Sequence, residues 1–151
     1  MKTAWYEERT GLDRVNLFVE FQNHIGRDFD VDRAVATSIR NFGRFIGLVR
    51  PVGTTVGFFR DLRRDGYPVA VATNAECEVA IQSLTHIGIL DELDALATLS
   101  DNVPPKPSPA LFELAAERLG LAPEHVCVIE DSLQGAAAAK AANMPAILVT
   151  I

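Results

Sequence analysis

Apolar residues recur at helical spacing through the first third of the chain. Leu12, Val15, Phe18 and Val19 form one face, widened by Leu17 and Phe21, and Gly26 is placed to stop it. Val35, Ile39, Phe42, Phe45 and Ile46 form a second face, in a segment from Asp32 to Ile46 with Asp32 as a reasonable N-cap. Two helices with a short connection make an antiparallel hairpin. Residues 1–49 therefore read as a helical unit.

The pattern changes near Arg50-Pro51. Helical and strand-like segments alternate from there, as in an α/β sheet. Thr54 to Asp65 is amphipathic through Val56, Phe58, Phe59 and Leu62, and Gly66 ends it. Helices follow at Ala75–His86, capped by Thr73 or Asn74, at Pro109–Leu119 with Gly120 just past its end, and at Ser132–Asn143. Four apolar runs, 69–72, 95–99, 126–129 and 146–150, read as buried strands. A helix lies in each crossover, so the strands run parallel. The reading is an α/β fold: residues 50–151 form a Rossmann-like parallel core and residues 1–49 a helical addition.

Composition narrows the partners. At 151 residues the chain suits one domain, or one domain with a small insert. A net charge of −6 without a Lys/Arg cluster argues against a nucleic-acid surface. No apolar run approaches the roughly 20 residues of a membrane span. Cys77 and Cys127 lie far apart without metal-type spacing, as in a reduced cytoplasmic protein.

The chemistry gathers after the strands. Thr73 and Asn74 follow the first, Lys106 lies in the proline-stiffened loop after the second, and Glu130 and Asp131 end the third. Ligands of open α/β sheets sit beyond the carboxyl ends of the strands. An ammonium neutralises phosphoryl oxygens, a hydroxyl and helix-start N–H groups bind them, and paired carboxylates suit Mg²⁺. Each residue also has a plainer reading. Thr73, Asp131 or Ser132 could be only a helix cap, Glu130 the end of a strand, and Lys106 a solvated loop charge.

Three stretches resemble motifs II, III and IV of the haloacid dehalogenase superfamily. They are Val69-Ala70-Val71-Ala72-Thr73-Asn74, Lys106-Pro107-Ser108-Pro109, and Val128-Ile129-Glu130-Asp131-Ser132-Leu133-Gln134-Gly135. The resemblance is to the helical-cap branch, typified by β-phosphoglucomutase and phosphoglycolate phosphatase. It implies that residues 1–49 are part of the cap. It implies phosphatase or mutase chemistry on a small phosphorylated metabolite through an aspartyl-phosphate. Thr73 would then hold the phosphoryl group, Lys106 would neutralise it, and Glu130 and Asp131 would hold Mg²⁺. Asn74 would contact substrate. Gly11-Leu12-Asp13-Arg14 resembles the family's substrate-facing cap loop, so Arg14 is a candidate phosphate contact, or else an exposed charge at a helix start.

One motif is missing. The family's nucleophile is the first aspartate of an Asp-x-Asp motif on a central strand, between those carrying motifs II and IV. Here Asp-x-Asp occurs only in Asp28-Phe29-Asp30-Val31-Asp32, after a polar stretch, which reads as a solvated connection and helix cap. The expectation is a truncated chain with little turnover and weak Mg²⁺ binding. Without a central strand, either the flanking strands close up or another chain fills the gap, so self-association is expected. A catalytically inactive domain that binds a phosphorylated ligand or protein is the alternative. Dehalogenation shares the fold but needs no Mg²⁺, and receiver domains lack the Ile-Glu-Asp-Ser turn and the cap.

Overall fold

The structure, a computed structural model, describes residues 4–9 and 11–149. The expected end of the last strand at Thr150 lies outside them. A short helix α1 (Ala4–Glu7) precedes α2 (Arg14–Ile25) and α3 (Val31–Phe42). The Asp13 carboxylate caps α2 by accepting the Asn16 N–H, and Gly26 ends it at a φ of 62°. At α3 the cap is Asp30, not Asp32. The extended backbone of Asp30 lays its carboxylate across the Arg33 N–H, whereas Asp32 is already inside the first turn. The helix also stops earlier than its apolar spacing suggests. Gly43 opens a 3-10 turn over Gly43–Leu48, whose tighter winding leaves Phe45 and Leu48 exposed.

The alternating part contains α4 (Gly53–Arg64), β1 (Ala70–Ala72), α5 (Cys77–His86), β2 (Ala95–Ala97), α6 (Ala110–Leu119), β3 (Val128–Glu130), α7 (Leu133–Ala141) and β4 (Ala146–Leu148). The cap of α5 is Glu76 by position, not Thr73 or Asn74. Those two stay in the loop, and the first N–H of α5 donates to the Ser100 hydroxyl. Ser132 caps α7 through the Gly135 N–H, which frees Asp131 from that task.

The strands are parallel, but among the described residues they form two separate pairs, β1 with β2 and β3 with β4. A run of helix–strand alternation fixes strand direction; it does not fix which strands are neighbours. Helix α6 bridges the pairs. Leu111 and Ala115 pack with Ala97 of β2, while Phe112 and Ala116 pack with Val128 of β3 and with Ala138, Ala139 and Met144. A third cluster joins Ala80 and Leu84 of α5 and Ile89 to Val56 and Phe59 of α4. No residue of α4 is fully buried, and β4 is exposed along its length.

Between the pairs, backbone groups are left over. Val69 and Thr73 bond across to β2, so by strand alternation Ala70 and Ala72 turn theirs the other way. Val128 and Glu130 bond toward β4, so Ile129 turns its groups away as well. Ala72 and Ile129 line opposite walls of one cleft.

Candidate functional site

That cleft, about 460 Å³, is where the strand-end residues meet. Its walls include Arg14, Thr73, Asn74, Lys106, Glu130 and Asp131, so all six candidate residues share one cavity, with Ser132 beside them. A larger hollow of about 560 Å³ opens between α2 and α3. Its walls carry Phe18, Phe29 and Asp30, and none of the strand-end chemistry. The Asp28–Asp32 stretch thus lies on the helical connection, with Asp30 spent as a cap.

Lys106 is a buried cation and not a solvated loop charge. Its side chain is 9% exposed, and its Nζ lies 2.7 Å from Glu130 Oε2 and 4.3 Å from the centre of the Phe112 ring. Burying an ammonium is expensive unless it is paired, and Glu130, 10% exposed, is the partner. The backbone is held too. Asn74 Oδ1 accepts the Lys106 N–H at 2.8 Å, and Asn74 Nδ2 donates to the carbonyls of Lys106 and Gly11. Both sides of this carboxamide are therefore engaged inside the protein.

Glu130 is fixed from both ends. While Oε2 takes Lys106, Oε1 accepts the N–H groups of Asp131 and Ser132 at 3.2 Å and the Ser132 hydroxyl at 2.8 Å. The carboxylate lies against Gly135, where an added Cβ would come within 2.0 Å of Glu130 Cδ. Only glycine leaves this room. Burial alone would raise the Glu130 carboxyl. The Lys106 hydrogen bond and charge, with help from Ser132 and Asp131, outweigh it and hold the group below its ordinary value. Asp131 moves the other way. Burial, then the hydrogen bond and charge of Glu130, hold its carboxyl above the ordinary range. Neighbouring carboxylates so divided, one firmly ionised and one reluctant, mark a place where a cation or a proton is welcome.

Thr73 stands at the end of β1. Its N–H donates to the Ala97 carbonyl and its hydroxyl accepts the Ala75 N–H at 3.1 Å, so the hydroxyl hydrogen can still be given to a ligand. Arg14 is not an exposed helix-start charge. Its Nε lies 3.1 Å from Glu76 Oε2, its Nη1 donates to Ser38 Oγ, and its side chain is 22% exposed. Gly11, at a φ of 95°, seats this loop against α7. A Cβ there would come within 2.9 Å of the Ser132 side chain.

The sequence reading missed Glu76, Phe112 and the double use of Ser132. The poor capping ability of glutamate was the available signal at Glu76. Ser132 bonds Glu130 two residues back and Gly135 three residues on, so only the first of these lay outside its reading as a cap, whereas the Phe112 ring beside Lys106 leaves no trace in the pattern. Among the described residues no three His, Cys, Asp or Glu side chains cluster to hold a metal, so Glu130 and Asp131 stand as a pair.

A buried lysine, two carboxylates and a threonine at the strand ends of a parallel α/β fold are the donor types that phosphoryl transfer draws on. The model of the haloacid dehalogenase-like hydrolases matches residues 4–143, and the chain belongs to that family. Fructose-1-phosphate phosphatase YqaB of Escherichia coli is 37% identical over 84 residues, 56% of this chain and 45% of that protein. Phosphoglycolate phosphatase of Nitrosococcus oceani is 34% identical over 90 residues, 59% of this chain and 40% of its own. The chain thus spans less than half the length of these curated relatives. Among solved structures, β-phosphoglucomutase from Clostridium difficile superposes with a TM-score of 0.84 at 20% identity, over the whole of this chain and 70% of that one. CbbY from Rhodobacter sphaeroides, in complex with phosphate, gives 0.84 at 22% identity, over the whole of this chain and 71% of its own. At these identities the structures establish the fold.

Proposed function

We propose that this chain carries the binding half of a Mg²⁺-dependent phosphatase or phosphomutase acting on a small phosphorylated metabolite. The observation that carries the reading is the Lys106–Glu130 pair, buried in one cleft with Thr73 and Asp131. Lys106 offers its charge to phosphoryl oxygens, and the Thr73 hydroxyl donates to one of them. Asn74 acts on the lysine and the cap loop. We read residues 1–49 as cap and 50–151 as core.

Glu130 and Asp131 suit Mg²⁺ by donor chemistry. Asp131 offers an exposed carboxylate, and Glu130 the remaining lone pair of Oε2. When bound, the cation supplies added neutralisation of phosphoryl charge. Its family ligand set includes an aspartate that none of the described residues lining the cleft provides, so weak binding follows. The nucleophile that forms an aspartyl-phosphate is missing in the same way. The chain's two free cysteines fit a reducing, cytoplasmic setting, and its net acidity fits a metabolite partner and no nucleic acid.

Assays with p-nitrophenyl phosphate and Mg²⁺ test this. Little or no turnover is expected from the chain, with inorganic phosphate binding that weakens at least tenfold in Lys106→Met. Robust turnover lost in Lys106→Met, or tight stoichiometric Mg²⁺ binding by calorimetry, contradicts the missing-nucleophile reading. A second reading, an inactive domain that binds a phosphorylated ligand or partner, is favoured by one observation. Among the described residues, Glu130 and Asp131 are the only acids lining the cleft.

A further inference from the structure

Paired and unpaired arginines are segregated along this chain. Among the described residues, every arginine before position 27 and after position 50 makes an ion pair. Arg27, Arg33, Arg40, Arg44 and Arg50 make none. The sequence gives the reason: no acidic residue occurs from Arg33 to Arg60. Arg40, Arg44 and Arg50 are exposed and turn to neutral partners instead. Arg40 donates to Thr37 Oγ1 at 3.0 Å, Arg44 to Asn41 Oδ1 at 3.4 Å, and Arg50 to the carbonyls of Gly47 and Val49. Standing several residues apart, they make no run of charge in the sequence.

Between Arg44 and Arg50, two large apolar side chains stand in water. Phe45 is 59% exposed and Leu48 is 73% exposed. Both belong to the 3-10 turn Gly43–Leu48. Side chains three apart eclipse in such a turn, so the two stack on one side. The turn itself rests on α5, with Ile46 half-buried, and the Phe–Leu pair is its outward side. One exposed leucine is ordinary. An exposed Phe–Leu pair bracketed by unpaired arginines is the make-up of an interfacial anchor. Its apolar groups enter the boundary of headgroups and acyl chains, and its guanidinium groups stay among the phosphates. An acidic protein would have to offer Phe45 and Leu48 a matching hollow, whereas a bilayer surface supplies apolar depth and negative charge together. Among the described residues no helix is long and apolar enough to cross a membrane, so the contact is attachment to a surface.

We infer that residues 40–50 form a docking site for an anionic lipid surface, with Phe45 and Leu48 inserted and Arg40, Arg44 and Arg50 against lipid phosphates. The site shares no residue with the strand-end cleft. Cosedimentation of the whole chain with phosphatidylcholine vesicles, with and without about 30% phosphatidylserine, tests it, and binding should be about tenfold stronger to the anionic vesicles. Arg40→Gln and Arg44→Gln should each weaken that binding about fivefold, the worth of one basic residue near such a surface. Leu48→Ser should weaken it about tenfold through lost apolar burial. All three side chains are exposed, so the thermal midpoint should stay unchanged. Lys140→Gln removes an exposed charge from α7, away from the segment, and should leave vesicle binding as it was. Equal binding to neutral and anionic vesicles overturns the inference. So does binding that Leu48→Ser leaves intact, or that Lys140→Gln lowers as much as Arg44→Gln. Absence of vesicle binding overturns it as well; capture by immobilised poly-glutamate, lost in Arg44→Gln, would then assign the surface to an acidic protein partner.

Discussion

At the scale of single residues, the site depends on an atom that is absent. The Glu130 carboxylate occupies the space that a side chain at position 135 would fill. Gly135→Ala should therefore push Glu130 off Lys106 and leave a buried ammonium poorly paired. Overpacking of this kind costs about 1–3 kcal/mol, and breaking a buried pair about 3–5 kcal/mol, so a large fall in thermal midpoint is expected. Gly57→Ala on α4 is the control. A Cβ there meets nothing within 4 Å, and alanine favours a helix interior by up to about 1 kcal/mol. Equal melting of the two variants would count against the close packing of Glu130. The same scale shows what the sequence could tell. Lys106, Glu130, Asp131 and Thr73 were legible because strand ends place side chains at one edge. The Arg14–Glu76 pairing was not, because nothing local joins positions 62 residues apart.

At the scale of elements, period and punctuation located every long helix, and Gly26 and Gly120 ended two of them as glycine does at a left-handed cap. Boundaries shifted where a nearby group competed for the cap, as Asp30 did with Asp32. The turn Leu99–Asp101 after β2 shows how elements are tied together. Arg118 of α6 reaches Asp101 with Nη2 to Oδ1 at 2.5 Å, and Asp101 accepts the Thr98 N–H at 2.8 Å. The Arg118 hydrogen bond first, then that of Thr98, lower the Asp101 carboxyl from 3.8 to about 2. Its ionised form is the one that folding favours. The added stability is complete above pH 3.8 and is lost as pH falls toward about 2. Arg118 is 38% exposed and solvent screens the pair, so the effect is on the order of 1 kcal/mol. Denaturant midpoints from pH 5 to 2 should drop more steeply for wild type than for Asp101→Asn; parallel curves would remove this tie from the account.

At the scale of the molecule, strand direction was legible in the pattern, and the gap between β1 and β3 only through the family resemblance. The expected sheet is two parallel pairs held by α6, with the inner edges of β1 and β3 apart. Unpaired edges that carry exposed apolar residues such as Ile129 invite a further strand. We propose that the chain self-associates through this gap. Sedimentation over a hundredfold concentration range should show mass rising with concentration, and a charged substitution at Ile129 should suppress the rise. A monomer at every concentration would refute it.

The Asn74 carboxamide holds three chain segments, yet it does not hold them equally. Two of its hydrogen bonds run to the backbone of Lys106 and one to Gly11. Loss of the Gly11 bond alone would leave both bonds to the Lys106 backbone in place. The setting of the buried cation therefore depends on the Asn74 bonds to the Lys106 backbone and not on the bond to the cap loop.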